Sequence, residues 1–134
     1  MAEIVSNSVL PAKREAITLV TEDNLRLVGE LALPVSEKPN ATILLLHPNP
    51  TGGGMMDSHL FKKAAWRLPA LADVAILRWN TRGTTSAAGT SEGEYDQGVL
   101  EGLDFKAALN FAQSRGLENI WLVGWSFGTD VTLM

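Results

Sequence analysis

Apolar and polar positions follow two different rhythms along the chain. Residues 16–21, AITLVT, and 25–33, LRLVGELAL, carry an alternation in which Leu25 and Leu27 stand against Arg26 and Val28. A period of two predicts half-exposed strands. The EDN between them at 22–24 is a turn signal, so the pair reads as an antiparallel hairpin. A loop with two prolines follows at 34–40. The runs ATILLLH (41–47), VAILRWN (74–80) and NIWLVG (119–124) are nearly continuous in apolar residues, the pattern of strands buried on both faces. Helical spacing fills the intervals. In SHLFKKAAWRL, Leu60, Ala64 and Leu68 share one face with Phe61 and Ala65 beside them. Asp57 or Ser58 supplies a cap, and Pro69 a stop. A second helix is expected over 97–114, with Leu100, Leu103, Ala107 and Phe111 opposed by Glu101, Asp104 and Gln113, and with Gly116 at its C-terminal end.

The resulting order, β-β-β-α-β-α-β and the start of a further helix, predicts an α/β fold. It has a mainly parallel sheet, an N-terminal antiparallel hairpin at its edge, and helices on both faces. No internal repeat or domain boundary interrupts residues 1–134, which read as a single domain. Two glycine-rich loops, PNPTGGGMM after the first buried strand and TRGTTSAAGTSEGEYDQG after the second, belong at the carboxyl edge of the sheet. Open α/β sheets bind their ligands at that edge.

Composition narrows the chemistry. A hydrophobic fraction of 46% supports a packed core. A net charge of −4 with scattered basic residues, Lys62 and Lys63 the densest pair, argues against a nucleic-acid partner. The absence of cysteine removes disulfides and thiol nucleophiles and fits a reducing compartment. No basic segment followed by a long apolar stretch opens the chain, and no run approaches the roughly 20 residues of a membrane span. A cytoplasmic protein without a membrane partner is the expectation. Two histidines without cysteine do not build a tetrahedral zinc site, and neither a metal nor another cofactor is expected.

The sharpest feature is GWSFG at 124–128, between an apolar strand and a helix start. In that context a Gly-x-Ser-x-Gly turn presents its serine above the sheet edge. Gly124 and Gly128 leave room for the turn, and the Phe127 amide lies at a helix N-terminus, where an oxyanion would form. Ser126 is the candidate nucleophile.

Three stretches in this order, LLLHPNPTGGGMMDS, RWNTRG with the downstream SEGEYDQG, and LVGWSFG, resemble the α/β hydrolases. The likeness is to small bacterial members related to dienelactone hydrolases and serine aminopeptidases, and it spans residues 44–128. The resemblance implies that Ser126 is the nucleophile, that the amides of Phe127 and Asn49 form the oxyanion hole, and that no cofactor is used. It also implies that His47 shapes the oxyanion loop and that Arg82 ties down the second loop. The chain departs from many relatives in carrying Asn49 where they have a second histidine. It also lacks the cysteine of dienelactone hydrolases proper.

In that family the acid and the histidine follow the serine. Here only six residues follow Gly128, and none is a histidine. Among resident groups, His59 reads as a surface or packing residue, Asp130 as a charge near a helix N-terminus, and Asp96, with Glu94 nearby, as a cap for the next helix. The expectation is therefore a domain truncated shortly after the serine turn and inactive alone, with about 90 residues to come. The complete protein would hydrolyse a carboxylic ester, lactone, thioester or small amide. Two rival readings are a non-catalytic nucleotide- or small-molecule-binding module, with TGGG as the cradle, and an interaction protein. The last would be a homo-oligomer or would pair through an exposed strand edge.

Overall fold

The computed structural model describes residues 4–36 and 38–133; the expected loop at 34–40 is therefore described except at residue 37, and the chain end at Met134 lies outside the described residues. Strands β1 (Lys13–Val20) and β2 (Arg26–Leu33) form the expected antiparallel hairpin. Asn24 adopts a left-handed φ of 63° in the turn. Strands β3 (Ala41–Leu46), β4 (Val74–Trp79) and β7 (Ile120–Gly124) run parallel to one another. The sheet order is β1-β2-β4-β3-β7, with β2 antiparallel to β4. A small hairpin not expected from the sequence, β5 (Thr85–Ser86) with β6 (Gly89–Thr90), folds within the second glycine-rich loop.

Helices cover both faces. Helix α1 (His59–Ala72) packs on one side with Ala32, Leu45, Val74 and Ile76. Helices α2 (Glu101–Ser114) and α3 (Phe127–Leu133) share the other side with Leu27, Leu44, Leu77 and Trp79.

Helix α1 differs from expectation in two respects. It does not stop at Pro69 but runs to Ala72 and ends at Asp73, which has a left-handed φ of 52°. Proline at 69 has no N–H, so the Ala65 carbonyl loses its helical donor. Arg14 supplies one instead: its Nη1 donates to that carbonyl at 2.6 Å and its Nη2 to the Trp66 carbonyl at 3.2 Å. The buried stripe is Phe61, Ala65 and Pro69, one position on from the expected Leu60, Ala64 and Leu68. Leu60 is exposed as a result. Ser58 does stand at the N-cap, but its hydroxyl takes the Met55 N–H rather than capping the helix.

Helix α2 begins at Glu101, not 97, and its buried face is Glu101, Asp104, Ala108 and Ala112. Two residues expected to face solvent thus lie inside, while Leu100 is exposed. The second loop explains the inversion, because it brings N–H donors and Arg82 to that face. Strand β7, expected to be buried, pairs only with β3 among the described strands, and Trp121 is 61% exposed.

Candidate active site

Strand β7 runs directly into α3 through Trp125 and Ser126. Ser126 has φ 56°, a left-handed conformation that costs a residue with a Cβ about 1–3 kcal/mol. The turn survives because it is wedged from both sides. A Cβ on Gly124 would lie 2.7 Å from the Gly128 carbonyl oxygen, and one on Gly128 would penetrate the Leu46 carbonyl. The Trp125 N–H also donates to Leu46 O at 3.1 Å, tying the turn to the end of β3.

Beside Ser126 opens a cleft of ≈ 540 Å³, walled by Pro48, Asn49, Met55, Ser58, His59 and Trp125. The cleft brings Asn49 and Ser126, 77 positions apart in sequence, to one place. It also brings His59 to the rim, as an exposed residue of the first turn of α1. Trp125 forms part of the wall, its ring edge-on to Phe61 at 6.0 Å between centroids. The Phe127 ring turns the other way, into the core against Tyr95 at 5.4 Å. Among the described residues, neither the Phe127 nor the Asn49 N–H donates a hydrogen bond.

The glycine loop folds back on itself. The Gly52 and Gly54 amides donate to the Asn49 carbonyl, and the Gly53 amide to the Pro50 carbonyl. The Asn49 side-chain oxygen takes both the N–H and the hydroxyl of Thr51. These amides are spent within the loop and do not form a cradle for a phosphate.

His47 is buried and joins the two loops. Its Nδ1 lies 2.7 Å from the Pro48 carbonyl, and the Thr81 N–H donates to its Nε2 at 3.1 Å. A ring nitrogen that accepts an N–H carries no proton, so the proton sits on Nδ1. Burial lowers its pKa, partly offset by the Pro48 hydrogen bond. Both nitrogens are occupied, which fits loop shaping.

Arg82 anchors the second loop to α2 and to the hairpin turn. Its Nε and Nη2 reach Asp104 Oδ1 at 3.0 and 2.8 Å, and its own N–H reaches Oδ2 at 2.8 Å. Nη1 donates to Asp23 at 2.8 Å. Burial opposes the charge of Arg82, but hydrogen bonds and attraction from Asp23 and Asp104 outweigh it and raise its pKa. Burial likewise pushes Asp104 upward, against the pull of Arg82. The neighbouring Glu101 is fully buried and accepts from the Asp96 and Gly98 amides at 2.7 and 3.0 Å. Asp96 takes the Leu100 N–H at 3.1 Å, but it does not cap α2 as expected: Leu100 stands at the N-cap, and no side chain caps the helix there. Asp130 lies exposed in the first turn of α3.

Two residues of this edge carry no role in the sequence reading. Arg78 sits within an otherwise apolar strand, where its Nη1 meets Asp57 at 2.6 Å and its Nη2 meets Glu30 at 2.9 Å. Asn80 is buried immediately after β4. A charge inside an apolar run signals buried partners, so Arg78 was legible; the role of Asn80 was not.

The sheet order, the helices on both faces and the strand–turn–helix at Ser126 make this chain the N-terminal portion of an α/β-hydrolase fold. It is similar to an α/β serine hydrolase without a lid from Xanthomonas campestris, with 31% identity and a TM-score of 0.75 over 95% of this chain and 57% of that one. An α/β serine hydrolase homologue from Coxiella burnetii matches with 28% identity and a TM-score of 0.71, over 95% of this chain and 55% of that one. An uncharacterized Rickettsia prowazekii protein is 33% identical over 111 residues, 81% of this chain and 44% of that protein. No protein-family model matches. The chain spans about half the length of these relatives. Among the described residues, no helix is long and apolar enough to cross a membrane.

Proposed function

We propose that Ser126 is the nucleophile of a serine hydrolase acting on a carboxylic ester, lactone, thioester or small amide. The observation that carries this reading is Ser126 itself: a serine in a left-handed conformation at the strand–helix turn, opening on a cleft shared with Asn49. Its Oγ attacks the substrate carbonyl carbon, and the amides of Phe127 and Asn49 stabilise the oxyanion. The leaving group departs with a proton, an acyl-serine remains, and water releases the acid.

A serine hydroxyl needs a base; the ring nitrogens of His47 are both engaged, and His59, exposed at the rim of the same cleft, makes no hydrogen bond to Ser126 among the described residues. The reading therefore takes the histidine and its acid from outside residues 1–134, and holds this segment inactive on its own. Hydrolysis of p-nitrophenyl butyrate by the complete protein tests it: Ser126→Ala should lower kcat by about 10⁴-fold or more. Retention of activity defeats the reading.

One observation favours a second reading, association with another chain. The outer edge of β7 is unpaired among the described strands, and Trp121, Leu122 and Val123 are exposed there. A complete protein that is monomeric in solution removes it.

A further inference from the structure

Both backbone polar groups of Met56, where the glycine loop approaches α1, end on side chains from β4 and the residue after it. The Met56 N–H donates to Asn80 Oδ1 at 2.9 Å, and its carbonyl accepts from Arg78 Nη1 at 2.7 Å. Positions 78 and 80 are two apart on extended chain, so their side chains leave the same face. The amide of Asn80 has a fixed orientation. Its Nδ2 donates to Ser86 Oγ at 2.9 Å and to the Gly89 carbonyl at 3.3 Å, so its oxygen faces the Met56 donor. The Asn80 backbone is engaged as well: its N–H donates to Val28 O at 2.8 Å, and its carbonyl accepts from Ser91 Oγ at 2.7 Å. One fully buried residue thus joins the glycine loop, the β5–β6 hairpin and β2. An apolar residue of similar size would keep the backbone link to β2 but lose the side-chain links to the glycine loop and the β5–β6 hairpin.

We propose that Asn80, assisted by Arg78, is the positioning residue of the oxyanion loop. His47 fixes the near end of that loop; Asn80 fixes the far end at Met56, and together they hold the Asn49 amide in place. The inference rests on the reading of Asn49 as an oxyanion donor. A donor aimed at a developing charge acts on the transition state more than on bound substrate, so its displacement lowers kcat and spares KM.

The test uses the complete protein with p-nitrophenyl acetate as the probe, and amide hydrogen exchange over residues 49–56. Asn80→Ala should lower kcat by about tenfold or more, with KM within about twofold, and should speed exchange at Met56. Ser86→Ala removes one far-side partner of the Asn80 amide and should shift kcat the same way by a smaller factor, which keeps the test open if Asn80→Ala does not fold. Leu19→Ala, a core truncation in the hairpin, sets the benchmark for general destabilisation and should leave kcat unchanged. An unchanged kcat in the Asn80 and Ser86 variants, or losses that Leu19→Ala matches at equal stability, overturns the proposal. Wild-type protein inert toward the ester and unmodified at Ser126 by a fluorophosphonate defeats the reading of Ser126 instead; whenever the ester gives no rate, exchange decides alone, faster exchange at Met56 in Asn80→Ala upholding the clamp and unchanged exchange overturning it.

Discussion

The α-carbon of Gly128 lies against the Leu46 carbonyl so closely that a Cβ would overlap it, and would come 2.9 Å from the His47 carbonyl oxygen. Both obstacles are backbone, which cannot rotate away. The start of α3 is thereby seated on the end of β3, and Ser126 is held between them.

Gly128→Ala should therefore destabilise by about 3 kcal/mol, while the equally small change Gly102→Ala should stabilise by about 0.5–1 kcal/mol. Gly102 lies in α2 with open space around its Cβ position. Urea midpoints of the two variants check the contrast, and equal effects would contradict the account of the turn.

Asp104 is buried with Arg82, and removing it leaves that buried charge only the part-exposed Asp23 as a partner. Asp104→Ala should cost about 3–5 kcal/mol. Lys106→Ala, which breaks the exposed pair with Glu22, should change stability by about 0.5 kcal/mol. Comparable losses in chemical denaturation would mean that the buried pair contributes no more than a surface one.

Acid sensitivity follows from Asp23, whose hydrogen bonds from Arg82 and then Thr21 hold its carboxyl down at about 2. A depressed acid stabilises above its unfolded value, 3.8, and that contribution is lost as pH falls toward 2. Asp23 is more than a third exposed, so solvent screening reduces the contribution to about 1 kcal/mol. Unfolding free energies between pH 5 and pH 2 should fall less steeply in Asp23→Asn than in wild type. Parallel profiles would remove Asp23 from the acid transition.

For His47 the sign is opposite to that of a histidine gaining a charged partner. Burial lowers its pKa, so below about pH 6.5 the unfolded chain takes a proton that the folded chain does not, and stability declines as pH falls. Ring nitrogen NMR should find the proton on Nδ1 and Nε2 bare at neutral pH. A proton on Nε2 would break the proposed link to the Thr81 amide.

The α/β order and the serine turn were legible because each rests on short-range pattern: apolar runs for β3 and β4, and glycines two places either side of Ser126. Helix faces were misread where a polar residue is satisfied inside. Asp104 carries no local mark of burial, since its partner Arg82 arrives 22 positions away through a loop. Pro69 ordinarily ends a helix, and only Arg14, distant in sequence, relieves the carbonyl it orphans. Asn80 gives no signal of its own, because its role lies in the three segments it joins.

The most direct test of the central claim is mass spectrometry of the complete protein after exposure to a fluorophosphonate. The account predicts one adduct, on the peptide carrying Ser126, and none in Ser126→Ala. An unmodified Ser126 in a protein that hydrolyses esters, or an adduct on another residue, would contradict it.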